Sequence, residues 1–465
     1  MNAFCALVLV VLGFEVYNSS LEALAWGHGL VRAAFLVGVV IFLFALRLWF
    51  APVPQPSAAA RRMIRWALVA LLLANVGIAG HAIQKSFASK RIPLDQGETT
   101  WRSARLLWKG EDPYGPGALV DFEAYRTRFS EREKEGLGPR IPTREVPGTM
   151  AKYDKTLDPS LRRELLPVAT GAEAEGLEAR VLGYKYGPLL LEMTALAVPM
   201  GIPASVITLN VLATFALLYT LYRLMKFEVG PAFAELGVVA LLLDLHISLN
   251  YLRYTATDVY PLLFCALAVF AYRSGRNLAC GACLGLALAC KTFPTLLLLP
   301  LLIEGGSLLA VIVFVLVTLA VWTPALLWDP HGVAINVFLW PEIMATDTTS
   351  WLFAMPKWAV SGIRVVVLAI IAMAWFRYLL GRETRLFWTL AFVSTVVLFA
   401  GNAFHFNYMP WASIWIPLTV LEAAKGEAAT RAAIPAISSF FAKARWPIRD
   451  MAGAGQAFSA GALQR

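Results

Sequence analysis

Charged residues and cysteines are scarce in this chain, and each scarcity excludes a class of protein. Only 15% of the 465 residues are charged, against about 25% in a soluble domain, while 58% are hydrophobic. So much apolar surface cannot be hidden in a soluble core and requires lipid. The five cysteines all lie in apolar stretches, which excludes the disulfide framework of a small secreted domain.

Metal-ligand spacings and nucleic-acid signals are also missing. The histidines are scattered and show none of the spacings typical of a zinc site. The net charge of +9 comes from short Lys and Arg clusters between apolar runs, a pattern typical of loops at an anionic lipid surface. We therefore expect membrane lipids as partners and no nucleic acid. The pair Cys280-x-x-Cys283 is predicted to pack helices, because small apolar residues surround it.

Apolar runs long enough to cross a bilayer are what the sequence has in abundance. A spanning helix requires roughly 20 mostly apolar residues. The predicted crossings are residues 3–24, 29–50, 63–84, 203–225, 231–249, 257–273, 307–328, 358–380, 386–402 and 408–424. A further stretch, 277–304, is broken between Lys291 and Pro294. We interpret it as two short crossings that meet at this break, and one long kinked helix is the alternative.

The basic residues between these runs predict the topology. About twelve crossings bring the clusters near residues 47–65, 223–226, 273–276, 377–385 and 425 to one side, together with both termini. The positive-inside rule assigns that side to the cytoplasm. A single helix through 277–304 would place the last two clusters outside. The sequence thus predicts an all-α polytopic protein of the plasma (inner) membrane, whose first run is either a helix or a cleaved signal peptide.

Four segments follow from this topology. They are three transmembrane helices in 1–84, a large non-cytoplasmic loop in 85–202, a transmembrane bundle in 203–424 and a cytoplasmic tail in 425–465.

Within the loop, Trp101 to Lys109 is predicted to form an amphipathic juxtamembrane helix. Its aromatic and leucine residues Trp101, Leu107 and Trp108 would meet the membrane surface, and its basic residues Arg102, Arg105 and Lys109 would meet water or phosphates. A second short helix is predicted at 188–199, half buried before the next crossing.

Ionisable residues collect on the predicted outer side. They are Asp95 and Glu98 after the third crossing, Arg253 and Asp258 at one outer turn, Lys291 at the next, and then Asp329, His331, His405 and Tyr408. Asp329 to His331 is interpreted as a helix-ending turn. A carboxylate and several cations beside apolar helices suit sugar transfer from a lipid-linked phosphate. Phosphate leaves without a general acid, one carboxylate accepts the proton of the acceptor hydroxyl, and cations hold the phosphate.

Several motifs resemble those of C-type (GT-C fold) membrane glycosyltransferases, most closely the family 87 polyprenyl-phosphate-mannose-dependent mannosyltransferases. The resemblance covers residues 85 to about 424 in order. It rests on the acidic start at 95–98, the Gly110-Glu111-Asp112-Pro113-Tyr114 end of the first loop, the run Tyr184-Lys185-Tyr186-Gly187-Pro188-Leu189, the turn from Arg253 to Asp258, the break at Lys291 to Pro294, and His405-Phe406-Asn407-Tyr408.

The resemblance implies a GT-C-like bundle with juxtamembrane helices in its outer loop. It implies that Asp95 is the catalytic base, with Glu98 the alternative one helical turn later. Arg253, Lys291 and His405 would lie near the donor phosphate, Asp258 near the sugar, and Tyr186 and Tyr408 in the same donor site. The chain departs from the family where Gln96 and Gly97 follow the acid, at its additional N-terminal helices and in its long polar insert at 120–180.

The expected activity is transfer of mannose or a similar sugar from a polyprenyl-phosphate donor to a glycan, lipid or protein acceptor of the cell envelope, on the periplasmic or extracellular face. No cofactor is expected, and a divalent metal, which some C-type enzymes use, stays an open alternative. A lipid or polysaccharide transporter or flippase is the rival function. It would favour symmetric halves and matching broken helices, whereas one clear break is visible here. An inactive scaffold of the same fold is a third hypothesis.

Overall fold

The computed structural model describes residues 57–89, 95–114, 184–200, 204–244, 247–253, 256–339, 357–381, 385–399, 408 and 410–419. Within these ranges the chain forms helices and no strands, which confirms the predicted all-α class. The predicted crossings at 3–24 and 29–50, the insert at 120–180 and the tail at 425–465 lie outside the described residues.

The helices follow the predicted crossings closely. They are α1 (Ala58–Ser89), α2 (Asp95–Trp108), α3 (Pro188–Ala195), α4 (Ala204–Val229), α5 (Pro231–Leu243), α6 (Val259–Arg273), α7 (Asn277–Cys290), α8 (Thr292–Thr295), α9 (Pro300–Glu304), α10 (Leu308–Trp328), α11 (Pro330–Val333), α12 (Lys357–Leu379), α13 (Leu386–Phe399) and α14 (Pro410–Ser413). Two π-helical stretches, Ile247–Arg253 and Ala334–Leu339, follow α5 and α11.

Four of these helices, α1, α4, α10 and α12, are long and apolar enough to cross a membrane. Within an apolar stretch of 18 residues, only 17% of the residues are buried in α1 and in α10, and only 22% in α12. Large apolar side chains such as Trp66, Leu73 and Leu327 are exposed along them. An apolar surface of this extent requires lipid around it, so the chain is a membrane protein.

Shorter apolar helices pack inside the long ones. Helices α5, α6 and α7 have 13 to 15 residues, a length of about 20–22 Å at 1.5 Å per residue. Residues 236–242 of α5 are all buried. These helices are thus covered by protein over most of their surface, whereas α1, α10 and α12 face lipid.

Glycines bring α7 and α10 into close contact. A Cβ on Gly281 would lie 2.2 Å from the carbonyl oxygen of Ala310, and one on Gly285 would lie 2.9 Å from that of Phe314. This small-x-x-x-small spacing lets two helix backbones approach without side chains between them. Cys280 and Cys283 lie on the same helix, and the close approach of Gly281 and Gly285 to α10 confirms that this stretch packs helices.

Two ion pairs between helix ends lie at one end of the bundle, which we name the arginine end. Arg65 at the start of α1 pairs with Glu235 at the start of α5, with Nε and Oε1 3.1 Å apart. Arg273 at the end of α6 forms a bidentate pair with Glu228 at the end of α4, at 2.5 and 2.9 Å. The predicted cytoplasmic loops of this part of the chain therefore meet at the same end.

The stretch 277–304 reverses direction at Lys291. Helix α7 ends at Cys290, Lys291 is extended (φ −159°, ψ 126°), and α8 and α9 return towards the arginine end. There the side-chain amide of Asn277 donates to the carbonyl oxygen of Gly305 at 3.0 Å. The start and end of the stretch therefore lie side by side, so it folds into two arms at the predicted break and does not form one long kinked helix. That each arm crosses the membrane stays a prediction.

Candidate functional site

Lys291 and Asp258 form an ion pair at the other end of the bundle, which we name the lysine end. The Lys291 Nζ lies 2.5 Å from Asp258 Oδ1. The Asp258 side chain has no exposed surface, and that of Lys291 is 19% exposed. The free-energy cost of removing two charges from water is offset only where their partners are well placed. Polar groups at membrane depth usually line a functional cavity.

The sequence around Lys291 explains why the helix breaks there. In a continuous helix the carbonyl oxygen of Cys290 would accept a bond from the backbone N–H of residue 294, but that residue is a proline and has none. The N–H of Gly187 donates to this oxygen instead, at 3.0 Å. The break at Pro294 thus creates the acceptor that holds the chain next to Tyr186.

Three aromatic rings surround the Lys291 ammonium. Its Nζ lies 4.8 Å from the ring centroid of Tyr408, 5.1 Å from that of Trp411 and 5.5 Å from that of Tyr186. Cations are attracted to the faces of such rings within about 6 Å. Lys291 is therefore held by one carboxylate and three rings, which come from separate parts of the chain.

Gly187 allows the segment before α3 to reach this site. A Cβ at this position would lie 2.0 Å from the carbonyl oxygen of Ala289, a separation that no side chain can adopt. The requirement for glycine comes from this close backbone approach, since its φ of −68° is ordinary. Gly187 thus fixes Tyr186 beside Lys291.

A chain of tyrosines connects α2 to the site. The hydroxyl groups of Thr100 in α2 and Tyr184 lie 3.5 Å apart, and the ring of Tyr184 contacts that of Tyr186 edge to face at 5.6 Å. Tyr114 contacts Tyr184 in the same way at 5.7 Å, and its hydroxyl donates to the carbonyl oxygen of Tyr186 at 3.3 Å. Helix α2 is therefore held against the Lys291 site.

Burial keeps two of these phenols neutral. Loss of solvent is the main cause that raises the pKa of both Tyr114 and Tyr184 well above the ordinary value for tyrosine. For Tyr184 the neighbouring Thr100 hydroxyl acts in the opposite direction and lowers the pKa. Both groups remain protonated hydrogen-bond donors across the physiological pH range, so they support the site and do not exchange protons in it.

The two sides of the large loop meet at its base. The backbone N–H of Tyr184 donates to the carbonyl oxygen of Pro113 at 2.9 Å, so the segments before 115 and after 183 are joined. Asn336 in the second π-helical stretch donates to the carbonyl oxygen of Tyr114 at 3.2 Å. These two hydrogen bonds hold the base of the loop beside the Lys291 site.

The structure brings together four of the predicted site residues: Tyr186, Asp258, Lys291 and Tyr408. Asp258 contacts the ammonium of Lys291, and its place near the sugar stays a prediction. The fifth member, Trp411, was missed by the sequence analysis. It follows Tyr408 by three residues, a spacing that places two side chains on one face of a helical turn, and this was the available signal.

The structure does not show the remaining predicted site residues, Arg253, Asp95, Glu98 and His405, in contact with Lys291. Arg253 is exposed at the end of the first π-helical stretch. The Asn210 side-chain amide holds this region by donating to the carbonyl oxygens of Tyr251 at 2.7 Å and Ala256 at 3.2 Å. Asp95 and Glu98 lie in the first turn of α2, but their side chains, like all of His405, lie outside the described residues.

Two further sequence predictions are resolved by local geometry. Asp329 ends α10 and begins α11, where its Oδ1 accepts from the N–H of Gly332 at 2.8 Å, as the helix-ending interpretation predicts. Trp101 is only 7% exposed and packs against Val206, so its predicted place at the membrane surface is wrong. Within the described ranges no three His, Cys, Asp or Glu side chains are grouped to hold a metal.

Comparison of the chain with protein-family models, with curated proteins and with solved structures finds no match. The function is therefore inferred from the chemistry of the lysine end. An ammonium fixed by a buried carboxylate beside apolar helices can take part in binding an anionic group attached to an apolar tail when further positive charge is supplied nearby.

Proposed function

We propose that this protein is a membrane glycosyltransferase that takes mannose or a similar sugar from a polyprenyl-phosphate donor on the outer face of the membrane. The observation that supports it is the Lys291 ammonium, held by Asp258 and three aromatic rings at the end of the bundle opposite the arginine end. An ammonium in this position suits a phosphate whose lipid tail lies between the helices. The proposal includes a GT-C-like bundle of about twelve crossings.

In the proposed reaction the acceptor hydroxyl attacks the anomeric carbon from the face opposite the phosphate. The carbon–oxygen bond to the phosphate breaks, and the phosphate leaves with the bonding electrons, inverting the configuration. Asp95, or Glu98 in its place, accepts the hydroxyl proton as general base. Lys291 stabilises the negative charge that develops on the leaving phosphate.

Asp258 then acts as a positioning residue. Its buried carboxylate fixes one N–H of the ammonium, and an ammonium has three donors. Because Asp258 already neutralises Lys291, binding a phosphate requires further positive charge. Arg253, exposed five residues before Asp258, and His405 are the proposed sources.

The test is transfer from a synthetic polyprenyl-phosphate sugar by the purified full-length protein. We expect Lys291→Met to lower kcat/KM by about 100-fold or more, and either Asp95→Asn or Glu98→Gln to lower kcat by about 100-fold or more. Arg61→Ala, an exposed change near the start of α1, is the matched control and should be neutral. Full activity in both acid variants would overturn the base assignment, and full activity in Lys291→Met would overturn the donor site.

The proposed orientation has its own test. In a chain whose native cysteines are replaced, His331→Cys lies at the lysine end and Arg62→Cys at the arginine end, and both positions are exposed. An impermeant maleimide added to intact cells should label position 331 and leave position 62 unlabelled. The opposite pattern would place the site in the cytoplasm and contradict the reaction.

A transporter or flippase is the second candidate, favoured by the buried ion pair at a broken helix, a feature of transporter substrate sites. Purified protein in liposomes separates the two functions. Flux of a lipid-linked sugar without formation of a glycosidic bond would favour the transporter, whereas product formation without flux would favour the transferase. An inactive scaffold would show neither.

A further inference from the structure

A further buried carboxylate, that of Asp244, lies where α5 ends, and the proposed reaction makes no use of it. The backbone of Asp244 is extended, with φ −69° and ψ 102°, so the helix stops there. Its carbonyl oxygen accepts from the N–H of Ile247 at 3.1 Å, at the start of the first π-helical stretch. Only 3% of Asp244 is exposed. An ionisable residue buried in a membrane protein is costly and usually serves the function.

The depth of Asp244 separates it from the ion pair of Lys291. Asp244 follows Glu235, at the arginine end, by nine residues, a helical rise of about 14 Å. Asp258 precedes Arg273, at the same end, by 15 residues, a rise of about 22 Å. Measured along these helices, Asp244 therefore lies beneath the Lys291–Asp258 pair, nearer to the arginine end. A group at this depth can support the site without contacting the acceptor.

The hydroxyl of Ser413 in α14 donates to Oδ2 of Asp244 at 2.6 Å, and only 6% of Ser413 is exposed. Hydrogen bonds to a carboxylate are shorter and roughly twice as strong as those between neutral groups. The preceding residue, Ala412, packs against Leu398 of α13, and apolar contact of this kind is non-directional. The directional bond to Asp244 therefore fixes the rotation of the α14 turn.

The same turn carries one of the rings that surround Lys291. Trp411 lies two residues before Ser413, and the N–H of Ile414 closes the turn by donating to the carbonyl oxygen of Pro410 at 3.1 Å. The ring of Trp411 lies 5.1 Å from the Lys291 Nζ and contacts the ring of Tyr408 at 5.4 Å. A bond that holds Ser413 in place therefore also holds two of the three rings beside the ammonium.

We propose that Asp244 is a positioning residue of the Lys291 site. Through the Ser413 hydroxyl, its carboxylate holds α14 so that Trp411 and Tyr408 lie against the ammonium. The rings and Asp258 together set where the ammonium meets a ligand. The inference rests on the proposed function for that ligand, a lipid-linked phosphate.

The first test follows Trp411 without any ligand. Full-length protein in detergent is labelled with fluorotryptophan, and the fluorine NMR signal that is lost in Trp411→Phe is assigned to Trp411. Ser413→Ala should shift or broaden this signal, because it removes the hydroxyl that Asp244 holds. Thr419→Val is the matched control and should leave the signal unchanged, because the Thr419 hydroxyl donates only to the nearby carbonyl oxygen of Trp415, at 2.8 Å.

The second test measures how well the protein binds a synthetic polyprenyl-phosphate sugar, by native mass spectrometry of the full-length chain well below its Tm. Ser413→Ala should weaken binding about tenfold, and Thr419→Val should bind within about twofold of the wild type. Asp244→Asn keeps an oxygen that can accept from Ser413 and should retain most of the affinity. Asp244→Leu removes that acceptor and should weaken binding as Ser413→Ala does.

Three outcomes would overturn the inference. They are an unchanged Trp411 signal in Ser413→Ala, equal donor binding by Ser413→Ala and the wild type, and a loss in Asp244→Asn as large as that in Asp244→Leu. A wild-type protein that binds no donor, although Ser413→Ala shifts the Trp411 signal, would instead contradict the proposed function and leave the positioning of Trp411 established. Melting temperatures verify folding, and Ser413→Ala with Asp244→Asn decides the case if Asp244→Leu does not fold.

Discussion

The two ends of the helix bundle use the same kind of ion pair in different surroundings. At the arginine end, Arg65–Glu235 and Arg273–Glu228 join helix termini, and the Arg65 side chain is 67% exposed. At the lysine end, Lys291–Asp258 lies at a helix break among aromatic rings, with Asp258 fully buried. The Arg65–Glu235 pair is therefore open to solvent, the Arg273–Glu228 pair is partly buried, and the Lys291–Asp258 pair is the most buried of the three.

We expect this difference in burial to distinguish pairs that hold helices together from a pair that serves binding. Exposed pairs contribute little to stability and tolerate change, whereas a buried pair is expensive to desolvate and is weak evidence for stability. Retaining such a pair is therefore better explained by what the ammonium can bind. Three substitutions of ion-pair residues test this contrast, and a fourth tests the packing that holds Tyr186 beside Lys291; they follow from the largest expected effect to the smallest.

Breaking the buried pair should have the largest effect. Lys291→Met leaves the Asp258 carboxylate buried without its cation, and we expect a loss of about 3–5 kcal/mol in the free energy of unfolding in detergent. The double variant Lys291→Met with Asp258→Asn should recover most of that loss, because it removes both charges. A double-mutant cycle measures the coupling, and a loss below about 1 kcal/mol in the single variant would contradict the buried pair.

Filling the space at Gly187 should have the next largest effect. Gly187→Ala introduces a Cβ that would lie 2.0 Å from the Ala289 carbonyl oxygen, and such overpacking costs about 3 kcal/mol. Gly80→Ala in α1 is the matched control, because a Cβ there meets nothing within 4 Å. Thermal unfolding of both variants should show a lower Tm for Gly187→Ala and an unchanged or higher Tm for the control.

Changing the arginine end should have a smaller effect. Arg273→Gln removes a bidentate pair whose arginine side chain is 26% exposed, and we expect a loss of about 1.5 kcal/mol. This change should affect activity only by lowering the fraction of folded protein. At a temperature well below the Tm, kcat should therefore stay within about twofold of the wild-type value. A larger fall in kcat, with folding intact, would mean that the arginine end also takes part in the function.

The exposed pair should have the smallest effect. Arg65→Ala is expected to lower the free energy of unfolding by less than about 1 kcal/mol, and the difference should shrink as salt is added. The free energy of unfolding is measured for the wild type and for Arg65→Ala at low and at high ionic strength. Glu235→Gln, which removes the other partner of the pair, is measured in the same way. A loss as large as that of Lys291→Met would show that the two ends are equivalent.

Hydropathy predicted the helices well because lipid imposes a simple requirement on them. The predicted crossings 307–328 and 358–380 correspond to α10 and α12 within a residue or two. The break near Pro294 could also be predicted, since proline lacks the N–H that a helix requires. At 231–249 the prediction ran past the end of α5 into the π-helical stretch, because apolar composition does not distinguish helix types.

The partners within the site could be predicted only in part. The sequence indicated Lys291 and Asp258 separately, but their contact spans 33 residues and depends on how α6 and α7 pack. Trp411 was missed because tryptophans near helix ends are common in membrane proteins. Trp101 was misplaced because amphipathicity does not reveal that a neighbour, here Val206, will cover one side of a helix.

The hydrogen bond between Tyr184 and Pro113 has a consequence for how this protein can diverge. Because this bond closes the base, the ends of the insertion are already together, and doubling its length adds only about 0.6 kcal/mol of closure entropy. We therefore expect a change in the length of the chain between Pro113 and Tyr184 to cost little closure entropy and to leave this hydrogen bond, and Tyr186 next to it, in place.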